Sequence, residues 1–242
     1  MPDKDVLVKR VQAAIEHGAR IDLQSFPIAI TLSGGTVTLA GWLADIGAKR
    51  QAVRAAASVA GVSAVVDHLR VGADRPPADG ATRDAVCAWL LRAIDFQNCS
   101  LRAHVKGLRE TLREAGPDAA GTIEVLVSDG VVTLSGQVIS LSHKRLAGVL
   151  AWWSRGCRDV INELAVLPPE DDNDDEIIEA LRLVLESDAT VHAAQIKVSC
   201  HGRQVALEGR VATESERTRA EMDAWCLYGV ALVSNHIAVG EN

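Results

Sequence analysis

The chain has 242 residues, 48% of them hydrophobic and only 3% aromatic, with a formal charge of −7. This is the composition of packed globular structure, and it lacks the basic footprint of a nucleic-acid binder. No run of about 18 apolar residues is present to span a bilayer. The start enters an amphipathic pattern without the basic and apolar regions of a secretory leader, so the expected location is cytoplasmic, or periplasmic if an N-terminal signal has been removed.

In chain order, Val8, Val11 and Ile15 carry the apolar stripe of a first helix. Ile28 to Leu32 and Val37 to Leu39 then alternate as two half-buried strands, with Gly34-Gly35 between them as a two-residue hairpin turn. After Gly41 the period becomes helical, marked by Ala52 and Ala56 one turn apart, and Gly61 is expected to close this helix before a strand that ends at Val71. The segment 72–80, with Pro76-Pro77, reads as a linker. An extra helix is expected over 81–99, with Thr82 as its cap and Val86, Trp89, Leu90 and Ala93 on one side.

The same pattern then recurs without a gap. Residues 28–71, 123–166 and 196–239 keep glycines and apolar positions in register: Val37, Leu39, Gly41; Val132, Leu134, Gly136; Val205, Leu207, Gly209. A second glycine follows 20 residues later in each (Gly61, Gly156, Gly229), and paired alanines recur as Ala147 and Ala151, Ala220 and Ala224. One small fold is therefore used three times. The leading helix is expected over Val105, Leu108 and Leu112 in the second copy and over Ile178, Leu181 and Leu185 in the third.

The expected fold class is α+β: three tandem two-layer units, each helix-strand-strand-helix-strand, with a three-stranded mixed sheet and two helices on one face. Their boundaries are unit 1 over 1–71, unit 2 over 100–167 and unit 3 over 174–242, with an acidic linker over 168–173 that reads as a solvated connection.

The order of elements, the V-x-L-x-G strand, Lys49-Arg50 and Lys144-Arg145 in the next helix, Gly61-Val62 and Gly229-Val230, and the closing Asn-x-Leu/Ile-x-Val together resemble the BON domain. This family is named for bacterial osmotically inducible and nodulation proteins. Gly156-Cys157 and Asp67 depart from the pattern, the latter standing where the other copies have Asn162 and Asn235. The resemblance implies a non-enzymatic, stress-associated binding module that contacts phospholipid or a membrane-associated partner. The alternative is a cytoplasmic protein-interaction scaffold or a small-ligand or ion-responsive sensor.

Charge narrows where an anionic partner would bind. Residues 1–71 carry eight Lys/Arg against six Asp/Glu, residues 72–172 eleven against fourteen, and residues 173–242 six against twelve. Attraction to an anionic headgroup thus belongs to the first copy, with Lys9, Arg10, Lys49, Arg50 and Arg54 as candidate contacts, and Trp153 as a candidate interface aromatic.

No catalytic constellation, metal site or cofactor is expected. Ser142-His143 are helix neighbours that point apart, His68 and His236 read as solvated strand residues, and Cys200-His201 has no partner ligands. The five cysteines are odd in number and out of register between copies, against a disulfide framework. Alternation puts Thr31, Thr38, His68 and Arg70 on the open sheet face of the first copy and Lys197, Ser199, His201, Gln204 and Glu208 on that of the third. The second presents Leu126, Val131, Thr133, Ile161 and Ala165. Such an apolar face is expected to be covered by the extra helix or a neighbouring unit, with Leu126 and Ile161 buried. Uncovered, it would be an acyl-chain or partner groove.

Overall fold

A computed structural model describes residues 4–18, 21–72 and 77–240; positions 73–76 of the expected Pro/Gly linker lie outside them. The chain is divided into two compact bodies, Met1–Asp74 and Arg75–Asn242.

The first body holds one copy. Helix α1 (Lys4–Gly18) is followed by β1 (Ile28–Ser33), β2 (Thr36–Leu43), α2 (Ile46–Ala57) and β3 (Ala64–Val71). Strands β1 and β2 form the antiparallel hairpin, and β3 returns parallel to β2, pairing Thr36 with Ala64 and Leu43 with Val71. Both helices lie on one face, because Val11, Ile15, Val37, Leu39, Leu43, Ala52, Ala56 and Leu69 form one buried core. Asp45 starts α2 by accepting the Ala48 amide at 2.8 Å. The helix stops at Ala57, four residues before Gly61, which takes a positive φ of 105° in the turn that follows.

The glycine of V-x-L-x-G has a steric cause common to all copies. A Cβ at Gly41, Gly136 or Gly209 would stand 2.6, 2.1 or 2.0 Å from the carbonyl oxygen of Pro27, Thr122 or Gln195 respectively. In each case that carbonyl belongs to the residue just before the one paired with the glycine across the hairpin. Only glycine admits so close a backbone approach.

The second body joins copies two and three. Its second-copy elements are α3 (Asp79–Arg92), β4 (Cys99–Val105), β5 (Leu108–Arg113), β6 (Gly121–Ser128), β7 (Val131–Val138), α4 (Leu141–Trp152), β8 (Asp159–Asn162) and β9 (Ala165–Val166). The third copy follows as α5 (Asp174–Ser187), β10 (Ile196–His201), β11 (Gln204–Val211), α6 (Glu214–Cys226) and β12 (Leu232–Val239). The third sheet repeats the first, with order β10-β11-β12. Each copy thus has a mixed sheet and two helices, and the α+β class holds throughout the described residues. The paired alanines Ala52 and Ala56, Ala147 and Ala151, and Ala220 and Ala224 are all fully buried.

The second copy departs from expectation in two linked ways. The stretch carrying Val105, Leu108 and Leu112 is not a helix but the hairpin β4–β5, turned by Lys106 (φ 51°) and Gly107 (φ 80°). It extends the sheet to the order β5-β4-β6-β7-β8, with β4 parallel to β6 and β9 paired to β7. The role of leading helix passes to α3. Its Asp79 carboxylate accepts the turn amides of Asp129 and Gly130 at 2.9 and 2.8 Å, as Asp174 at the start of α5 accepts those of Gly202 and Arg203 at 2.6 and 2.9 Å.

The expected cover on the middle open face is therefore corrected. Helix α3 starts at Asp79, with Thr82 buried inside it instead of capping it, and packs beside α4 on the helical side. Leu126 and Ile161 remain 44% and 45% exposed. The acidic linker is also more ordered than a solvated connection. Glu170 accepts the Leu141 amide at 2.7 Å, Asp172 binds two arginines, and Asn173 caps α5 through the Glu176 amide at 3.1 Å.

Candidate functional site

The basic residues of the first body separate into an outer set and an inner one. On α1 the buried residues are Leu7, Val11 and Ile15, so Lys9 and Arg10 fall on its solvent side and are exposed. On α2 the buried alanines Ala52 and Ala56 set the inward face; Arg50 and Arg54, one turn apart, lie opposite it, Arg50 half-buried and Arg54 exposed. These four side chains occupy the outer surface of the helical layer.

Lys49 points the other way. It is 4% exposed, and its ammonium donates to the Leu69 carbonyl at 2.7 Å and pairs with Asp67 at 3.2 Å. The Asp67 that breaks the Asn pattern of the other copies is thus the counter-ion of a buried lysine. In those copies the asparagines turn their amides to helix carbonyls instead, Asn162 to Lys144 at 2.7 Å and Asn235 to Arg217 at 3.1 Å. All three residues keep one shared bond, accepting the amide two positions ahead at Leu69, Leu164 and Ile237.

Trp153 lies in the second body, where it joins copies two and three. Its indole Nε1–H donates to Asp223 Oδ1 at 2.8 Å. Arg219 stacks over its ring at 5.0 Å, and Trp89 meets it edge-on with centroids 5.4 Å apart. On the same junction Arg145 is fully buried, donating through Nε to the Tyr228 carbonyl at 3.0 Å and pairing with Asp172 at 2.6 Å. Arg203 holds the same carboxylate at 3.1 Å. Burial pushes the Asp172 carboxyl up, but the bonds from Arg145 and Arg203 outweigh it and leave the group below its ordinary value.

The remaining polar candidates have structural partners. His143 faces Ser140 Oγ at 2.7 Å and meets Phe96 edge-on. His68, His201 and His236 are exposed. Burial, then the adjacent Asp174 carboxylate, pushes the Cys200 thiol up to about 11, far from a reactive thiolate. Among the described residues no group of three metal-ligating side chains converges, and no helix is long and apolar enough to cross a membrane.

Sequence alternation located the open faces correctly but missed the Asp188–Arg219–Asp223 cluster of the third copy. Arg219 pairs with Asp188 and lies 3.5 Å from Asp223. A signal was present: in the register of the repeat Asp223 replaces Leu150 and Ala55, a carboxylate at an apolar position.

The repeated unit, with small-residue helices laid on a mixed sheet, defines a tandem α+β repeat protein. The BON domain model matches residues 3–73, 105–168 and 173–241, and the chain belongs to the BON domain family. The second match begins at the end of β4 and so leaves out α3, the leading helix displaced by the β4–β5 insertion. Members of this family are non-catalytic binding modules associated with membranes, phospholipid and stress. Among solved structures the chain is similar to the C-terminal domain of CdsD, described as the structural protein of the type III secretion system of Chlamydia trachomatis. The identity is 16%, covering 94% of this chain and 96% of that one, with a TM-score of 0.25. A second CdsD structure from the same organism gives 16% identity, 95% and 91% coverage, and a TM-score of 0.25. No curated protein matches the chain.

Proposed function

We propose that the chain is a non-enzymatic, stress-associated binding module whose first copy contacts anionic phospholipid, or a partner held at a membrane, through the outer surface of its helical layer. The observation that carries this reading is the placement of Lys9, Arg10, Arg50 and Arg54 on that surface, in a stretch, residues 1–71, where eight basic residues stand against six acidic ones. Family membership supports it. The binding would be electrostatic and shallow, each basic side chain near an anionic surface contributing about 1 kcal/mol. Lys49 would act from within, holding α2 on β3 through Leu69 and Asp67.

Flotation with liposomes tests the proposal. Binding is expected to vesicles containing anionic lipid and not to neutral ones, to weaken from low to physiological salt, and to fall at least tenfold in a Lys9→Glu, Arg10→Glu, Arg54→Glu variant. Equal flotation of that variant would overturn the site, and no flotation on anionic vesicles at low salt would overturn the function.

A second reading is a protein-interaction scaffold, favoured by the uncovered middle face. Leu126, Thr133 and Ile161 form one row across β6, β7 and β8, with apolar Leu126 and Ile161 standing where the third copy carries Ser199 and Ser234. On this reading the protein acts in the cytoplasm and three different faces recruit different partners.

A further inference from the structure

Asp223 is 0% exposed on α6, and it meets charged or titratable groups from only part of its surroundings. Its own helix supplies Arg219, 3.5 Å from Oδ1, with the Cys226 thiol beside that guanidinium. The end of α5 supplies the Asp188 carboxyl, 6% exposed, whose Oδ2 binds Arg219. The end of α4 supplies only the neutral indole of Trp153, with Trp89 and then Arg92 behind it.

One guanidinium thus serves two buried carboxyls. Asp188 Oδ1 is taken by the Thr190 amide and hydroxyl at 2.8 and 2.7 Å, and its Oδ2 by Arg219. Asp223 Oδ1 is taken by the indole, but Asp223 Oδ2 is buried with no donor facing it. The Asp188 carboxyl is within hydrogen-bonding reach of Asp223, and two carboxylates cannot bond to each other without a proton. A proton on Asp223 removes the like-charge contact, removes a buried charge, and gives the pair its missing donor.

We propose that Asp188 and Asp223 share one proton, carried on Asp223, and that this proton lets Asp223 stay buried against Trp153 where the third copy meets the second, so that the junction tightens as pH falls from neutral and loosens as it rises. The two carboxyls diverge in the sense the proposal requires. Burial, with the Asp188 carboxylate beside it, pushes Asp223 up to about 8 against Arg219 and the Trp153 bond, which both favour its charged form, whereas the bonds from Thr190 and Arg219 hold Asp188 below its ordinary value against the upward push of its own burial. An opened junction returns Asp223 to water and toward 3.8, so opening releases a proton. The opening equilibrium therefore rises with pH between those two values and levels off above the upper one, with a slope of at most about tenfold per pH unit. The device is specific to the third copy, since Leu150 and Ala55 stand at the equivalent positions.

Hydrogen exchange of the Trp153 indole Nε1–H in the full-length protein, read by NMR and corrected for the intrinsic pH dependence of exchange, tests this proposal. In the unmodified protein protection is expected to drop by more than tenfold from pH 5.5 to 7.5. In Asp223→Asn, which keeps the shape and supplies a permanent donor, it is expected to stay constant. In parallel, the Asp223 carboxyl carbon is expected to titrate with a midpoint above 7, an observation that needs no variant. A midpoint below 5, or equal pH slopes in the unmodified protein and Asp223→Asn, would overturn the proposal.

Discussion

At the scale of single residues, the glycine that ends V-x-L-x-G shows how closely this fold limits side-chain choice. In the third copy Gly209 has φ 138° and would place a Cβ 2.0 Å from Gln195 O. Neither atom can move alone, because Gly209 lies in β11 and Gln195 directly precedes Ile196, its partner across the hairpin. Gly209→Ala is expected to cost on the order of 2 kcal/mol or more, read as a shift of the denaturation midpoint of the second body with little change for the first. An unshifted midpoint would show that the hairpin absorbs the methyl by separating. This glycine was legible in the sequence because three copies kept it. The burial of Lys49 was not: a lysine beside an arginine on an amphipathic helix ordinarily reads as a solvated pair. The trace it left was Asp67 in place of asparagine, a change that makes sense once its carboxylate is seen 3.2 Å from the Lys49 ammonium.

At the scale of elements, the hairpins, the second helix of every copy and the last strands followed from periodicity and turn residues. The inserted β4–β5 hairpin did not. Val105, Leu108 and Leu112 are spaced for a helix face, and the homologous position in the other copies is helical, so register and period agreed on the wrong answer. The competing signal was Lys106-Gly107, a two-residue turn between runs of strand-like residues. The insertion pushed the true leading helix back to α3, which starts at Asp79 without a side-chain cap and ties itself through that carboxylate to the β6–β7 turn. The second helix is bound to its sheet through paired alanines, and the seam tolerates no bulk. Ala220 and Ala224 are both fully buried, so Ala220→Leu is expected to destabilise the second body by about 1–3 kcal/mol in chemical denaturation. A neutral result would mean that α6 can lift from β11 and β12 without loss.

At the scale of the whole chain, three copies of one fold have been put to different uses. The first copy forms a body of its own with a basic outer surface, while the second and third are joined by a junction of ion pairs, Arg145 and Arg203 on Asp172, and by Trp153 set against the Asp188–Arg219–Asp223 cluster. The repeat made the three folds legible, but this junction was hidden because its members come from α4, the linker, α5, α6 and the third hairpin. An isolated acidic run such as 170–176 also reads as solvated linker until its arginine partners are located.

The junction should have an acid limit as well as an alkaline one. Asp172 and Asp188 are both held below 3.8 by their partners, so the stability they contribute is fully present above that value and is lost as pH falls through their lower folded values. Asp223 acts in the opposite sense, because its raised value makes stability fall as pH climbs from 3.8 toward about 8. The two limbs place the tightest junction at mildly acidic pH, about 4 to 5. Hydrogen exchange of backbone amides in residues 170–173 and in α6, followed from pH 3 to pH 9, is expected to show greatest protection in that window and loss on both sides. Asp172→Asn should remove much of the acid limb in the linker while leaving the alkaline limb in α6 intact, since Asp172 lies with Arg145 and Arg203 rather than with Asp223. Loss of both limbs together in that variant would mean that the two ion clusters open as a single unit.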